Sequence, residues 1–356
     1  MCSSFLRLGI LVELLVGALV VCETQERESL RTIAGNDDVE SRLTNVRQLT
    51  FGGENAEAYF SFDGSRLIFQ STRDSLLCDQ MFTMDRDGLN TVMVSSGAGR
   101  TSCGYFYPDG ESILYASTHL MSGECPPRPS LENGYVWPVN EGYDIFRATS
   151  NGSGLTRLTD TPGYDAEATV GPNGRIVFTS ARDDDLEIYS MNGDGSEVRR
   201  LTNRLGPDGG AFFSPDGEQI VFRGHEIFPG TELENFQSLL GQGLWRPTNL
   251  EIFVMNADGG NLRQVTKLGG ANFAPFWHPD GQRIIFSSNW HNARGRNFDL
   301  FLIHVDGSGL ERVTFDVAFD GFPMFSPEGT ELVFASNRRA QTDGETNVFI
   351  ADWVKN

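Results

Sequence analysis

Amide and carboxylate side chains recur at one position of a repeated pattern. Nine residues before the glycine of six Pro-Asp-Gly-like segments stands an Asn, an Asp or, once, a Thr. These residues, the first-strand ring, are Asn55, Thr101, Asp165, Asp208, Asn272 and Asp320. Glu57 and Glu167 follow two residues later in the first and third copies. Oxygen-rich sets of this kind suit Ca²⁺ or a cationic group on a partner.

A second set of side chains follows each glycine by eight to ten residues and consists of Arg and His. Its members are Arg73, His119, Arg182, His225, His291 and Arg338. The three histidines have two interpretations, packing within loops or a joint metal site. The arginines offer ion-pair partners to the first-strand ring.

The elements that position these residues are short strands. Each copy has a Pro-Asp-Gly-like turn, an apolar run such as RLIF or SILY, and a further run such as QMFTM or DIFRA. In five copies an Asx-Gly turn and a fourth run come next, and four of these runs end in Leu-Thr or Val-Thr. Six such units predict an all-β, six-bladed β-propeller over residues 46–356.

The sixth unit stops after its third strand, at NVFIADWV. A fourth-strand sequence, VRQLT from Val46 to Thr50, stands alone before the first unit. We therefore expect the N-terminal strand to complete the last blade and close the ring.

Topology puts the two sets of polar residues on one face of the disc, together with the longest loops. These loops run from Thr118 to Tyr143 and from Gly224 to Leu250, and we expect them to form two walls beside a central channel. Trp137, Trp245 and Trp290 fall in or beside them and are either plugs of small cores or platforms for a ligand.

The first-strand ring itself has two interpretations. Asx side chains stabilise the turn into a strand, and the carboxylates could pair with Arg73, Arg182 or Arg338 between blades. Alternatively, the ring with Glu57 and Glu167 forms a channel-mouth site for Ca²⁺ or for a cationic partner.

The repeats resemble the WD40-like (PD40) propeller repeats of the TolB family, from residue 46 to about 354. The resemblance implies the same propeller and partner binding in the cell envelope. TolB has an α/β domain before its propeller, for which the leader-to-blade interval here is too short. Polysaccharide lyases have related propellers and place His and metal ligands in such a channel. A metal-dependent propeller enzyme is therefore the alternative, although no G-x-S-x-G, P-loop or H-E-x-x-H motif occurs in the sequence.

Three cysteines follow the leader region, Cys78, Cys103 and Cys125. An exported chain with three cysteines is expected to form one disulfide. Cys103 with Cys125 is the preferred pair, because the long loop of blade two can fold back on its own blade. Cys78 with Cys125 is the second choice, and a zinc site with His119 is a third.

The net charge and the N-terminal sequence limit which partners are expected. The chain of 356 residues carries 48 acidic and 28 basic side chains, a formal charge of −20, which disfavours nucleic acid and anionic lipid. Residues 1–22 read as a signal peptide or, with Cys22, a lipoprotein leader, and residues 23–45 as a polar linker. The protein is expected to be periplasmic or extracellular, with the membrane reached only through that anchor.

These observations predict a monomeric, non-catalytic module that binds a protein or cell-envelope component. The predicted mechanism is a partner strand threading the acidic channel mouth, held by the carboxylates and the rigid ring.

Overall fold

The structure is a computed structural model and describes residues 40–292, 295 and 297–355. The predicted leader, most of the predicted linker, and Cys2 and Cys22 lie outside these residues. In the described part of the chain, no helix has the length and apolar character needed to cross a membrane.

Six four-stranded antiparallel sheets confirm the predicted propeller. The first three blades contain twelve of the labelled strands and one of the long loops. Blade I has β2 (Glu54–Phe60), β3 (Arg66–Thr72), β4 (Gln80–Asp85) and β5 (Val92–Met93). Blade II has β6 (Thr101–Phe106), β7 (Ser112–Ser117), β9 (Asp144–Thr149) and β10 (Thr156–Arg157). Blade III has β11 (Asp165–Val170), β12 (Ile176–Ser180), β13 (Glu187–Met191) and β14 (Arg199–Arg200).

The other three blades follow the same order, and the last takes its outer strand from the N-terminal side. Blade IV has β15 (Asp208–Phe213), β16 (Gln219–Gly224), β18 (Glu251–Asn256) and β19 (Arg263–Gln264). Blade V has β20 (Asn272–Trp277), β21 (Arg283–Ser288), β22 (Asp299–His304) and β23 (Glu311–Arg312). Blade VI has β24 (Asp320–Phe325), β25 (Glu331–Ser336), β26 (Asn347–Trp353) and β1 (Leu43–Gln48).

The ring closes as predicted, because β1 pairs antiparallel with β26. Leu43 lies opposite Trp353 and Gln48 opposite Phe349. The strand begins at Leu43, three residues before the expected start, so the end of the predicted linker is part of the last blade. Pairing of both chain ends gives β26 a neighbouring strand on each side.

Most fourth strands are shorter than the sequence predicts, two residues instead of five. The cause is the Thr that follows Leu or Val at the end of the fourth run. The Thr hydroxyl accepts the backbone N–H of the neighbouring third strand, as in Thr202 with Ile188 at 2.9 Å and Thr266 with Ile252 at 2.8 Å. This side-chain bond replaces the backbone ladder.

The second strands are buried along most of their length, because each blade is covered by a neighbour on both sides. All six residues of Ser112–Ser117 in β7 are buried. The turns of the Pro-Asp-Gly and Asx-Gly type lie on one side, the turn face. The second-to-third loops and the blade-to-blade connections lie on the other side, the loop face.

The two long loops meet instead of forming separate walls. Trp137–Pro138 (β8) and Leu244–Trp245 (β17) pair as a two-stranded ribbon. The only α-helix in the described part of the chain, α1 (Thr231–Leu240), contacts β17, and 3-10 turns occupy Leu131–Asn133 and Trp290–Asn292. The ribbon and α1, here called the cap, pack on Phe273, Ala274 and Phe322 at the inner strands of blades V and VI.

Candidate functional site

Every inner strand contains a bulge at the same place. The register shifts between residues such as Ala56 and Tyr59 in blade I and Ala166 and Thr169 in blade III. One residue of each bulge has a positive φ between 49° and 60°. The six bulge residues are Glu57, Cys103, Glu167, Gly210, Ala274 and Phe322. Bulges re-aim side chains, and here they surround the propeller axis.

Below the bulges the axis is filled by an aromatic plug of Tyr59, Tyr105, Phe212 and Phe276. The rings of Tyr59 and Phe212 lie 5.4 Å apart although they come from opposite blades, I and IV. Phe276 contacts Phe212 at 5.3 Å. Because the plug fills the axis, a partner strand cannot pass through the ring. Binding of a strand at the acidic channel mouth itself stays a prediction.

Between plug and cap lie the side chains of Glu57, Cys103, Glu167 and Arg223, a region here called the central chamber. One of its two carboxylates, Glu167, forms an ion pair with Arg223. Glu167 accepts hydrogen bonds from Arg223 at 2.7 Å, Thr179 at 2.7 Å and the N–H of Gly210 at 2.9 Å. Burial alone would raise its pKa, but the Arg223 guanidinium and these hydrogen bonds hold the pKa of Glu167 below its usual value.

Arg223 is missing from the sequence-based set of site residues. It is 6% exposed, and its guanidinium lies 5.6 Å and 5.4 Å from the ring centres of Trp137 and Trp245. Glycine makes room for it, since a Cβ at Gly210 would lie 2.3 Å from Arg223 Nη1. The Gly209-Gly210 pair, at a position where other blades have side chains, is the only sequence signal for it.

Glu57 has no such cation. Its neighbour is the Cys103 thiol, which donates a hydrogen bond that only partly offsets burial. Burial, with the nearby charge of Glu167, raises the pKa of Glu57 to about 7. Burial and the two glutamates raise the pKa of the Cys103 thiol as well. The thiol is therefore a proton donor here and not a nucleophile.

The first-strand ring does not face this chamber. All its members are buried, with 0–1% exposure, and their hydrogen-bond partners lie in their own blade or in the neighbouring one, as for Asn55 with Asn347 and Asn272 with Glu251. Both carboxylate oxygens of Asp165 accept from Arg182 at 2.9 Å, and Asp320 pairs with Arg338 at 2.7 Å. The structural interpretation therefore describes them, although the pairs lie within blades and not between them. A partner cannot reach these carboxylates without opening a blade.

The remaining ring members follow the same scheme. Asn55 accepts from Arg73 at 2.7 Å, and Thr101 contacts Ser117. Asn272 accepts from Ser288 at 2.5 Å. Asp208 pairs with Arg204, which precedes the first strand and was not predicted. Blade IV needs this arginine because the equivalent second-strand position is His225.

The arginines also cover aromatic pairs of the second and third strands. Arg73 lies over Phe69 and Phe82, at 5.3 Å and 5.2 Å from their ring centres. Arg182 covers Phe178 and Tyr189 in the same way. Each ion pair is thus combined with a cation–π contact, which fixes the loop end of its blade.

The histidines remain apart. Nδ1 of His119 lies 2.9 Å from Ser117 Oγ, and Nε2 of His225 lies 3.0 Å from Glu232 Oε1. Nε2 of His291 lies 3.0 Å from Asp299 Oδ2. Within the described ranges, no group of three or more His, Cys, Asp and Glu residues could hold a metal ion. The joint histidine site is therefore not formed by these residues.

The preferred disulfide is also wrong. Cys78 pairs with Cys125, with Cα atoms 5.8 Å apart, and Cys103 is free. The bulge turns Cys103 towards the axis, while the loop after Thr118 extends over blade I instead of folding back. Trp137 and Trp245 pack edge to face at 5.3 Å and fill the small core of the cap. Trp290 packs on Phe301.

Comparisons with known proteins agree with this architecture. Residues 244–353 match the family model described as the TolB beta propeller domain. Among proteins with curated functions, none has a sequence that matches this chain significantly.

Solved structures show the same fold at low sequence identity. TolB from Acinetobacter baumannii is 17% identical with a TM-score of 0.51, over 72% of this chain and 53% of its own, so this chain spans about half its length. A putative TolB from Agrobacterium tumefaciens is 18% identical with a TM-score of 0.55, over 87% and 94%. A gluconolactonase from Xanthomonas campestris is 13% identical with a TM-score of 0.54, over 88% and 91%. The predicted resemblance to TolB-type propeller repeats is confirmed.

Proposed function

We propose that this protein is an exported, non-catalytic binding module that captures a protein or cell-envelope component on its loop face. The observation that carries the proposal is the distribution of exposed apolar side chains. Val317, Leu77, Phe51 and Phe228 are 93%, 83%, 75% and 71% exposed, and all four belong to the loop face. Exposed apolar groups of this size on a rigid scaffold are typical of interaction sites.

The loop face is also acidic, which supports a basic partner. Its exposed acidic residues are Asp74, Glu124, Glu132, Glu141, Asp160, Asp183, Asp184, Glu226, Glu232, Glu234 and Asp343. Among the described residues of this face, the exposed basic ones are Arg128, Arg246, Lys267 and Arg339. The attraction therefore comes from loop carboxylates and not from the buried first-strand ring, and it would act mainly on the association rate.

Export is supported by the Cys78–Cys125 disulfide, since such bonds persist in oxidising compartments. A periplasmic or extracellular location remains a proposal, as does the monomeric state. An antibody against the protein, applied to fractionated source cells, tests the location.

Capture from a detergent-solubilised extract of the source cells tests the function. Immobilised wild-type protein is compared with a loop-face variant, Leu77→Ser with Val317→Ser, and a matched variant on the opposite side, Leu89→Ser with Leu155→Ser. We expect the loop-face variant to lose the captured protein and the matched variant to retain it. Equal capture by all three forms would contradict the proposal.

The alternative, a metal-dependent propeller enzyme, stays a prediction. It calls for a bound ion, with Ca²⁺ as one candidate cofactor. Elemental analysis of the purified full-length chain, followed by a glycan panel with and without chelator, tests this alternative directly.

A further inference from the structure

The corner between blades I and II presents three large apolar side chains close to one cross-link. Leu77 is 83% exposed and precedes Cys78, whereas Leu120 and Met121 are 58% and 64% exposed and precede Cys125. The disulfide joins the loop of blade I to the long loop of blade II. We call Leu77, Leu120 and Met121, with the exposed carboxylates Asp74 and Glu124, the corner patch.

The backbone under the corner patch is held in place at several points. The N–H of Met121 donates to Thr118 O at 2.9 Å, and the N–H of Gly99 donates to Gly123 O at 2.9 Å. Further along the loop, Arg128 pairs with Glu54 of blade I at 3.2 Å. The apolar side chains are therefore presented by a fixed scaffold, which lowers the conformational entropy lost when a partner binds.

The charge of the corner patch indicates which kind of partner it binds. Asp74 and Glu124 border the apolar side chains, and neither has an ion-pair partner in the described part of the chain. A second copy of this chain would bring its own charge of −20 to the contact, which opposes self-association. An anionic lipid surface is repelled in the same way. A polypeptide carrying both large apolar and basic side chains satisfies both features of the patch.

We infer that the corner patch is the recognition surface within the loop face and binds a polypeptide segment that alternates basic and large apolar side chains. This inference rests on the proposed function and specifies its partner. Leu77 and Met121 receive the apolar side chains, and Asp74 and Glu124 receive the basic ones.

Defined peptides test the inference on the full chain. Three fluorescein-labelled peptides of equal length alternate Leu with Arg, Leu with Glu, or Ser with Arg, and binding is followed by fluorescence anisotropy. We expect the Leu–Arg peptide to bind at least tenfold more tightly than the other two. Equal binding of the Ser–Arg peptide would show general attraction to an acidic protein and would overturn the inference.

Variants locate the binding. Leu77→Ser with Met121→Ser should weaken the Leu–Arg peptide at least tenfold, and Asp74→Lys with Glu124→Lys should weaken it comparably. The matched turn-face variant, Leu89→Ser with Leu155→Ser, removes side chains that are 63% and 39% exposed and should leave binding of the Leu–Arg peptide unchanged. Thermal unfolding midpoints establish that each variant is folded.

A failure of this inference can be distinguished from a failure of the proposed function. Retention of Leu–Arg peptide binding by the Leu77 and Met121 variant, with capture from extract lost in the loop-face variant, would overturn the corner patch while leaving the loop-face function standing. Unchanged binding in every loop-face variant, together with unchanged capture from extract, would overturn both. Binding to phosphatidylcholine vesicles, or dimer formation in the ultracentrifuge, that the corner variant abolishes would assign the patch to lipid or to a second copy and overturn the inference.

Discussion

Glu57 and Glu167 occupy equivalent bulges in blades I and III, yet their surroundings differ. Glu167 has an ion pair with Arg223 and two further donors, whereas Glu57 has the Cys103 thiol and only the charge of Arg223 without an ion pair. The first carboxylate is stabilised in its charged form, and the second is destabilised by burial. Two residues that look identical in sequence therefore differ in protonation near neutral pH.

This difference predicts a pH dependence of stability. Because the pKa of Glu57 is raised to about 7 in the folded protein, the folded state binds more protons than the unfolded state between about pH 4.5 and pH 7. The contribution of Glu57 to the free energy of unfolding therefore falls as the pH rises through this window. Glu57→Gln should gain about 1–3 kcal/mol over wild type at pH 8 and little at pH 4.

Denaturant unfolding at both pH values measures the effect. Glu167→Gln is the matched control, and it should lose stability at pH 8 because Arg223 would be left without its carboxylate. A Glu57→Gln variant whose difference from wild type is the same at pH 4 and pH 8 would contradict the account.

Sequence alone identifies the polar positions but not their directions. Counting from the turn glycines finds the first-strand ring and its Arg and His partners, because both repeat with the fold. It cannot show that Asp165 points into its blade while Glu167, two residues later, points to the axis. The bulge between Ala166 and Thr169 decides that, and backbone bulges leave little trace in side-chain type.

At the scale of elements, the N-terminal strand acts as the fourth strand of blade VI in hydrogen-bonding detail. The Thr50 hydroxyl accepts the N–H of Val348 at 2.8 Å, as Thr314 accepts the N–H of Leu300 at 2.9 Å within blade V. The repeat of Leu-Thr in the sequence is sufficient to predict this closure. The cap could not be predicted in this way, because the two loops that form its ribbon have unrelated sequences and contain no periodic pattern.

If β1 closes the ring, equivalent threonine substitutions in blades V and VI should lower the free energy of unfolding by similar amounts. Thr50→Val and Thr314→Val each leave a buried N–H without its acceptor, and each should lower the free energy of unfolding by about 1–3 kcal/mol. Thermal or denaturant unfolding measures both variants. A Thr50→Val variant as stable as wild type, beside a destabilised Thr314→Val, would show that β1 does not close the ring.

The cap predicts a change in thiol reactivity. Trp245→Ala removes a ring that is 3% exposed and lies over Arg223, so the central chamber should open to reagents. Cys103 should then be alkylated several-fold faster, as measured by mass spectrometry of its peptide. Phe228→Ala, an exposed change on the same long loop, is the control and should leave the rate unaltered. An equal rate in all forms would mean that the cap does not shield the chamber.

For the whole molecule, the six-bladed ring and its closure follow from repeats, whereas the cross-link does not. Predicting Cys103 with Cys125 assumed that a long loop returns to its own blade. The loop instead extends over blade I, held by Arg128 with Glu54 and by Cys78. Contacts between different blades depend on the paths of the loops. These paths follow no periodic sequence pattern, so they cannot be predicted from the repeats.

The central claim is that the buried carboxylates stabilise the propeller and that binding belongs to the exposed loop face. Asp165→Lys and Asp160→Lys reverse charges five residues apart, the first buried against Arg182 and the second exposed on a connection. Denaturant unfolding of both variants tests the claim. The account predicts a loss of about 3–5 kcal/mol for Asp165→Lys and less than about 0.5 kcal/mol for Asp160→Lys. An Asp165→Lys variant that unfolds with wild-type stability would contradict it.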